Sequence, residues 1–284
     1  MKTKVTNKRE RRTLSVKYLA GFTVVELLVS LILAAIVTSA AMALYITQHK
    51  QLLVQDEISD MQAGVRAATA ELATKIRMAG YKVPITNLAI RAANNNPDSI
   101  AIAYDTGEIG DVRLSAAMAS VSADLQCNGY SLAGISNNDW LYIYDPTAKV
   151  GEYFLVTNIQ SSPPVLQHTG MNFSRVYPLG SQLYKIRRYK YYVDNTTDTN
   201  HPNLMVQVDT QAPQIFAENI TNLNFTYKLS SGVTVDVPIL ADMVREVIIT
   251  VDARTDDADS QFSARQYRTR SLSTRVKVRN LGVN

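Results

Sequence analysis

The chain has 284 residues but a single cysteine, Cys127. An intrachain disulfide is therefore excluded, and an exported head domain would have to be held together by its hydrophobic core. We expect Cys127 to be a small buried apolar residue, with a reactive thiol or an intermolecular bridge as the alternatives.

Histidine is also scarce, because the chain contains only His49, His168 and His201, which lie far apart. None of the three has a neighbouring carboxylate or cysteine, and the strings H-E-x-x-H, C-x-x-C, G-x-S-x-G and the P-loop are missing. The sequence thus predicts neither catalytic residues nor a cofactor. We expect His168 and His201 to lie at the surface.

A group of acidic residues near the C-terminus is the one candidate metal site in the sequence. It consists of Asp252, Asp256, Asp257 and Asp259. Carboxylates bind calcium, but the group lacks the spacing and the glycine of an EF-hand loop. A solvated turn is therefore the favoured interpretation, and a calcium site is the alternative.

A run of aromatic and basic residues invites a nucleic-acid interpretation. Its members are Tyr184, Lys185, Arg187, Arg188, Tyr189, Lys190, Tyr191 and Tyr192. Packing across the strands of an amphipathic sheet explains the same pattern more simply. We therefore expect no nucleic-acid partner.

The positive charge of the chain is concentrated at its N-terminus. Residues 1–21 hold seven of the 29 basic side chains and one of the 25 acidic ones, so the remainder holds 22 and 24. The sequence pI of about 9.0 therefore reflects a short segment and not the body of the chain. Basic residues before an apolar stretch predict that this end stays in the cytoplasm.

A long apolar run follows the basic segment. Residues 22–46 read FTVVELLVSLILAAIVTSAAMALYI and contain one charge, Glu26. A transmembrane helix needs about 20 apolar residues, whereas a secretory signal has about 7–15 followed by a small-residue cleavage site. Here the small residue, Gly21, comes first. Cleavage after Gly21 would place a new amino group on Phe22, one helical turn from the Glu26 carboxylate.

The string GFTVVELLVS resembles the cleavage signal of type IV prepilins and pseudopilins, although Ala20 stands where many members have Lys or Arg. The resemblance implies a pilin-like fold, in which a long N-terminal helix packs on a β-sheet head. It also implies that a prepilin peptidase removes residues 1–21 and methylates the amine of Phe22. Glu26 would then direct assembly by neutralising the Phe22 amine of a neighbouring subunit.

Apolar positions continue past residue 46 with helical spacing, from Ile58 through Leu72 to Ala79. Residues 47–80 are therefore predicted as the amphipathic half of the same helix, which ends at Gly80 before Pro84. Residues 75–81, KIRMAGY, are similar to a string common in the PilW family of minor pilins.

Residues 81–284 are predicted as a β-rich head. Alternating segments predict strands at 99–104, 140–145, 152–159, 182–193, 204–208, 223–229, 244–252 and 265–279. Because one helix precedes consecutive strands, the fold class is α+β with an antiparallel sheet. The last third of the chain also resembles PilW-like proteins and, more loosely, GspJ-type pseudopilins, whereas residues 90–210 resemble nothing known to us.

The resemblance implies a minor type IV pilin of the PilW kind, which helps to start or cap a pilus. It would be an inner-membrane protein with a cytoplasmic N-terminus and a periplasmic head, and other pilins would be its partners through the N-terminal helix. One alternative is a GspJ-like pseudopilin of a type II secretion system. An alternative from another class is a periplasmic binding protein with a single membrane anchor.

Overall fold

The computed structural model describes residues 21–84, 89–259 and 266–281. One long helix, α1 (Val24–Met78), precedes sixteen described strands and a short 3-10 helix at Ala241–Met243. The first eight strands are β1 (Ile90–Ala93), β2 (Ser99–Asp105), β3 (Val112–Arg113), β4 (Leu125–Gln126), β5 (Trp140–Asp145), β6 (Val150–Leu155), β7 (Asn158–Ser161) and β8 (Pro164–Gln167). The others are β9 (Gln182–Tyr184), β10 (Ile186–Asp194), β11 (Asn203–Val208), β12 (Gln214–Ala217), β13 (Ile220–Leu229), β14 (Thr234–Val235), β15 (Val244–Arg254) and β16 (Thr269–Lys277).

The chain divides into two compact units, Met1–Leu53 and Val54–Asn284. In the first unit, the described residues are the helical segment 24–53 and the three residues before it, and all of them are exposed. The second unit contains the remaining turns of α1 and all of the described strands. The predicted fold class is confirmed in its general form, because an apolar N-terminal helix precedes antiparallel sheets.

The helix ends where the sequence predicts. Gly80 has a φ of +77°, in the left-handed region that favours glycine at a helix C-terminus. Its N–H donates to the carbonyl of Ala103 in β2 at 3.0 Å, so the chain leaves the helix bonded to a strand. A Cβ at this position would lie 2.5 Å from the Leu281 Cδ2 atom. Gly80 therefore combines a helix stop with close packing.

Two antiparallel sheets and the last turns of α1 enclose the first core. Sheet I has the strand order β1-β2-β10-β11-β12, and sheet II has the order β14-β13-β15-β16. Within the second unit, one face of α1 buries Val65, Leu72 and Ile76 against these sheets. The strand β15 alternates buried and partly exposed residues, which is the pattern of a strand with one face on a core.

Residues 106–185 form an inserted lobe between β2 and β10, although these two strands are hydrogen-bonded neighbours in sheet I. The lobe contains sheet III, with the order β3-β9-β5-β6, and sheet IV, with the order β4-β8-β7. It has its own core, centred on Leu141, Phe154 and Leu166. A small cluster around Tyr142 and Ile186 packs where sheets I and III meet.

Two of the predicted strands are in fact pairs of strands. The predicted strand 182–193 is β9 in sheet III followed by β10 in sheet I, and the predicted strand 152–159 is β6 in sheet III followed by β7 in sheet IV. The predicted strand 265–279 begins outside the described residues, and its described part is β16. The other five predictions are confirmed within two to three residues at each end.

Candidate assembly and membrane site

The first turn of α1 is closed by a reciprocal pair of hydrogen bonds between Thr23 and Glu26. The Glu26 carboxylate accepts from the Thr23 backbone N–H at 3.1 Å and from its hydroxyl at 3.2 Å. In return, the Glu26 N–H donates to Thr23 Oγ1 at 3.2 Å. This arrangement is a capping box, and the T-V-V-E string of residues 23–26 encodes it. Glu26 therefore has a local structural role, and Gly21 and Phe22 lie exposed just before it.

The helical segment of the first unit presents large apolar side chains to its surroundings on every side. The exposed ones are Val24, Val25, Leu27, Leu28, Val29, Leu31, Ile32, Leu33, Ile36, Val37, Met42, Leu44, Tyr45, Ile46, Leu52 and Leu53. A helix that is apolar all round is suited to a buried or membrane environment. Its length and its hydropathy of 2.5 make α1 a candidate membrane span.

The hydroxyl groups of this segment are satisfied within the helix. Ser30, Thr38, Ser39 and Thr47 each donate to the carbonyl four residues earlier, at 2.7–2.9 Å. An unsatisfied polar group in hydrocarbon costs several kcal/mol, so internal bonds of this kind make the segment compatible with a bilayer core. Small residues lie among them, namely Ala34, Ala35, Ala40, Ala41 and Ala43, and small residues allow helices to approach closely.

Farther along α1, Glu71 and Lys75 are partly buried against sheet I. Lys75 Nζ donates to the Tyr104 hydroxyl at 2.9 Å and lies 3.8 Å from the ring centroid of Tyr189. Glu71 accepts from the Tyr191 hydroxyl at 2.8 Å. Burial alone would lower the pKa of Lys75, but its hydrogen bond to Tyr104 raises that pKa overall. Lys75 is therefore held charged over the Tyr189 ring and beside the Tyr104 hydroxyl.

Each of the four candidate calcium ligands contacts a different partner. Asp252 accepts from the Asn222 amide, and Asp256 accepts from Asn219. The backbone N–H of Asp257 lies 3.4 Å from the Glu57 carboxylate, and the buried Asp259 forms an ion pair with Arg268 at 2.8 Å. Within residues 21–84, 89–259 and 266–281, no three His, Cys, Asp or Glu side chains are placed to hold a metal ion.

A negatively charged cleft of about 610 Å³ lies beside this group in the second unit. Its carboxylates are Glu57, Asp60, Glu218 and Asp256, and Arg254 is the one basic residue among the described lining residues. Burial raises the pKa of Glu57, the hydrogen bond from the Asp257 backbone lowers it in part, and the charges of Asp257 and Asp256 raise it further. Among the described residues these carboxylates form no metal-binding group, so the cleft is an acidic surface feature.

The surface prediction for His168 is wrong. The residue is 3% exposed, and both ring nitrogens lie 2.8 Å from carbonyl oxygens, those of Met171 and Ala123. Ala123 lies 45 residues from His168 in the sequence, so no local sequence pattern predicts that His168 is buried. His201 is exposed as predicted, and its hydrogen bond to Asp198 raises the pKa of its imidazole.

The aromatic and basic run is divided between two sheets. Tyr184 belongs to β9 of sheet III, whereas Arg187 to Tyr192 belong to β10 of sheet I. Lys185 lies between them, 8% exposed, and forms ion pairs with Asp139 at 2.7 Å and Glu108 at 3.0 Å. Burial alone would lower the pKa of Lys185, but these two partners raise it overall. The run is therefore a junction between two sheets rather than one continuous basic strand.

Cys127 is fully buried in the core of the inserted lobe and has no disulfide partner. Burial raises the pKa of its thiol to about 12. The prediction of a small buried apolar residue is confirmed.

No family model matches the chain. No curated protein matches it either.

Proposed function

We propose that this chain is a type IV pilin-like prepilin, and more specifically a minor pilin of the PilW kind that helps to start or cap a pilus. The observation that carries the proposal is the combination of Gly21, Phe22 and Glu26 with the apolar first half of α1. The packing of the later turns of α1 on antiparallel sheets supports it.

In this proposal, a prepilin peptidase cuts between Gly21 and Phe22 on the cytoplasmic side of the inner membrane and methylates the new amine. The apolar helix stays in the mature protein as its membrane anchor. The subunit then moves from the bilayer into a filament core made of similar helices. Because both environments are apolar and the hydroxyls are bonded internally, the transfer costs little free energy.

Glu26 acts at two stages in this proposal. Before assembly its carboxylate is held by Thr23 in the capping box. During assembly it neutralises the Phe22 amine of a neighbouring subunit, which fixes the axial register in an apolar surrounding where an unpaired charge is costly. The proposal gives the chain no catalytic role.

The test is the mature N-terminus, determined by mass spectrometry on protein from cells with and without the prepilin peptidase. We expect a terminal peptide that starts at N-methylated Phe22 and that disappears when the peptidase is absent. An intact leader, or a start beyond Ile46, would contradict the proposal and favour an anchored binding protein. Deletion of the gene then separates a pilin, whose loss reduces piliation, from a GspJ-like pseudopilin, whose loss reduces secretion.

A further inference from the structure

Trp140, the single tryptophan of the chain, forms one wall of a small cleft in the second unit. We call it the Trp140 cleft, and it is lined by Trp140, Tyr153, Arg188, Asp209 and Thr210, with a volume of about 150 Å³. Sites for drug-sized ligands span roughly 300–1,000 Å³, so this cleft fits one small ring. It lies where the inserted lobe meets sheet I, and ligand sites are frequent at such junctions.

The aromatic walls come from sheet III. Register pairs Tyr142 of β5 with Tyr153 of β6, and Trp140 lies two residues from Tyr142. Side chains two apart share one face of a strand, so Trp140 and Tyr153 are diagonal neighbours on the same face. The hydrogen bond from Trp140 Nε1 to Thr210 Oγ1, 3.1 Å long, fixes the orientation of the indole.

The polar side comes from β10 and the residue that follows β11. Asp209 donates its N–H to the Arg188 carbonyl at 2.8 Å, and its carboxylate accepts from the Arg188 N–H at 2.9 Å. Its φ of +52° is left-handed, a conformation that Asp tolerates better than most residues. The backbone therefore anchors the Asp209 carboxylate at the cleft.

The hydrogen-bonding capacity of the cleft is only partly used. Arg188 is exposed, and among the described residues neither its guanidinium nor the Tyr153 hydroxyl has a hydrogen-bond partner in the protein; Arg188 also forms no ion pair with Asp209. A guanidinium offers five donors, and a carboxylate is acceptor-only. Unused donors and acceptors thus converge on two aromatic rings.

This combination selects for a ligand with one apolar face and several hydroxyl groups. A small anion would be repelled by Asp209 and would not use the aromatic walls, and a small cation would be repelled by Arg188. A purely apolar ring would displace water from both charged groups and leave them without partners. The C–H groups of a sugar ring pack on the negative face of an aromatic ring, and its neighbouring hydroxyls both donate and accept.

We infer that the Trp140 cleft binds a single neutral pyranose ring, such as one residue of a glycan. Trp140 and Tyr153 would pack against the C–H face of the sugar, Arg188 would donate to its hydroxyls, and Asp209 would accept from them. The inference does not rest on the proposed function, because the contacts that carry it all lie in the second unit.

The test uses the full-length chain in detergent micelles, and because Trp140 is the single tryptophan, its emission reports on this cleft. The probes are the methyl pyranosides of glucose, galactose, mannose and N-acetylglucosamine. At least one should give a saturable change with a dissociation constant on the order of 1–10 mM, as expected for one small ring. Glycerol, inorganic phosphate and lysine should give none.

Two substitutions test whether the pyranoside binds in the Trp140 cleft. Arg188→Gln removes the guanidinium, and Asp209→Asn removes the charge with a residue that still tolerates a positive φ. Each should weaken binding by about tenfold or more. Asp236→Asn and Arg279→Gln are matched controls at exposed positions and should leave binding unchanged. In Trp140→Phe, which loses the emission, saturation-transfer NMR should show weaker binding.

Three results would overturn the inference. The first is that no pyranoside gives saturable binding up to about 100 mM, roughly ten times the expected dissociation constant. The second is binding that survives both Arg188→Gln and Asp209→Asn, since the sugar would then bind elsewhere. The third is phosphate or lysine binding as tightly as the sugars, because the ligand class would then be wrong.

Discussion

At the residue scale, Glu26 has a capping role in the structure and an assembly role in the proposed function. Thr23→Ala removes one side of the capping box but leaves the carboxylate, and should cost about 1 kcal/mol of helix stability. Glu26→Ala removes both roles, and Glu26→Gln removes the charge but keeps an acceptor oxygen. We expect both Glu26 variants to enter filaments at least about tenfold less, because an unpaired amine is costly in an apolar core.

Immunoblots of sheared filaments against membrane fractions measure this difference, with membrane levels as the control for expression. Thr23→Ala should enter filaments nearly as well as the unchanged protein. If Thr23→Ala and Glu26→Ala lowered incorporation equally, capping alone would explain Glu26.

A second prediction concerns the Cys127 thiol. With its pKa raised to about 12, its thiolate fraction at pH 8 is on the order of 10⁻⁴, and its burial blocks reagents. An aromatic disulfide reagent at pH 8 should therefore not modify the folded chain, whereas in guanidinium chloride one thiol per chain should react. The Cys127→Ala variant, which has no thiol, gives the background signal of the reagent. Rapid modification of the folded chain would show that the thiol is accessible and the burial wrong.

At the element scale, the end of α1 depends on Gly80. Gly80→Ala places a Cβ 2.5 Å from the Leu281 Cδ2 atom at a φ of +77°, and should destabilise the fold by about 1–3 kcal/mol. Gly64→Ala is the matched control, because it lies within α1 and its Cβ would meet nothing within 4 Å. It should stabilise the helix by up to about 1 kcal/mol.

Amide hydrogen exchange of β13 and β15, which pack in the core beside α1, measures both changes. Faster exchange in Gly80→Ala and equal or slower exchange in Gly64→Ala is the expected outcome. The reverse order would show that Gly80 is no obligatory helix stop.

Much of the fold was predictable from the sequence because its long elements carry strong periodic patterns. The bounds of α1 and β15 follow from helical and alternating apolar spacing, and Gly80 marks the helix end by its backbone freedom. The break at Lys185 was not predictable, because both flanking segments are extended and only their hydrogen-bonded neighbours differ. Strands of two to four residues, such as β3 and β14, are too short to show a period.

The candidate sites also differ in how far the sequence predicts them. The Thr23 and Glu26 pair is local and readable as a capping-box string, and so is the run of apolar residues. The Trp140 cleft joins β5, β6, β10 and the end of β11, so its residues are up to 70 positions apart. Such a site forms only when the inserted lobe packs against sheet I. The spacing of residues in the sequence does not predict that packing.

At the scale of the whole molecule, the second unit has two main cores that share no residue. Phe225 belongs to the core beside α1, and Phe154 belongs to the core of the inserted lobe. The lobe joins sheet I through two chain crossings, the small cluster around Tyr142 and polar contacts such as the Trp140–Thr210 hydrogen bond. Since the described apolar residues of the two cores form separate clusters, we expect the cores to open separately.

Phe154→Ala and Phe225→Ala test this expectation, since each removes a buried ring at a cost of about 3–5 kcal/mol. Phe154→Ala should speed amide exchange in β5 and β6 while leaving β13 and β15 nearly unchanged, and Phe225→Ala should do the opposite. Exchange mass spectrometry on the full chain in micelles resolves the two regions. Equal acceleration of both regions in both variants would mean that sheets I to IV unfold as one cooperative unit, and that the inserted lobe depends on the core beneath it.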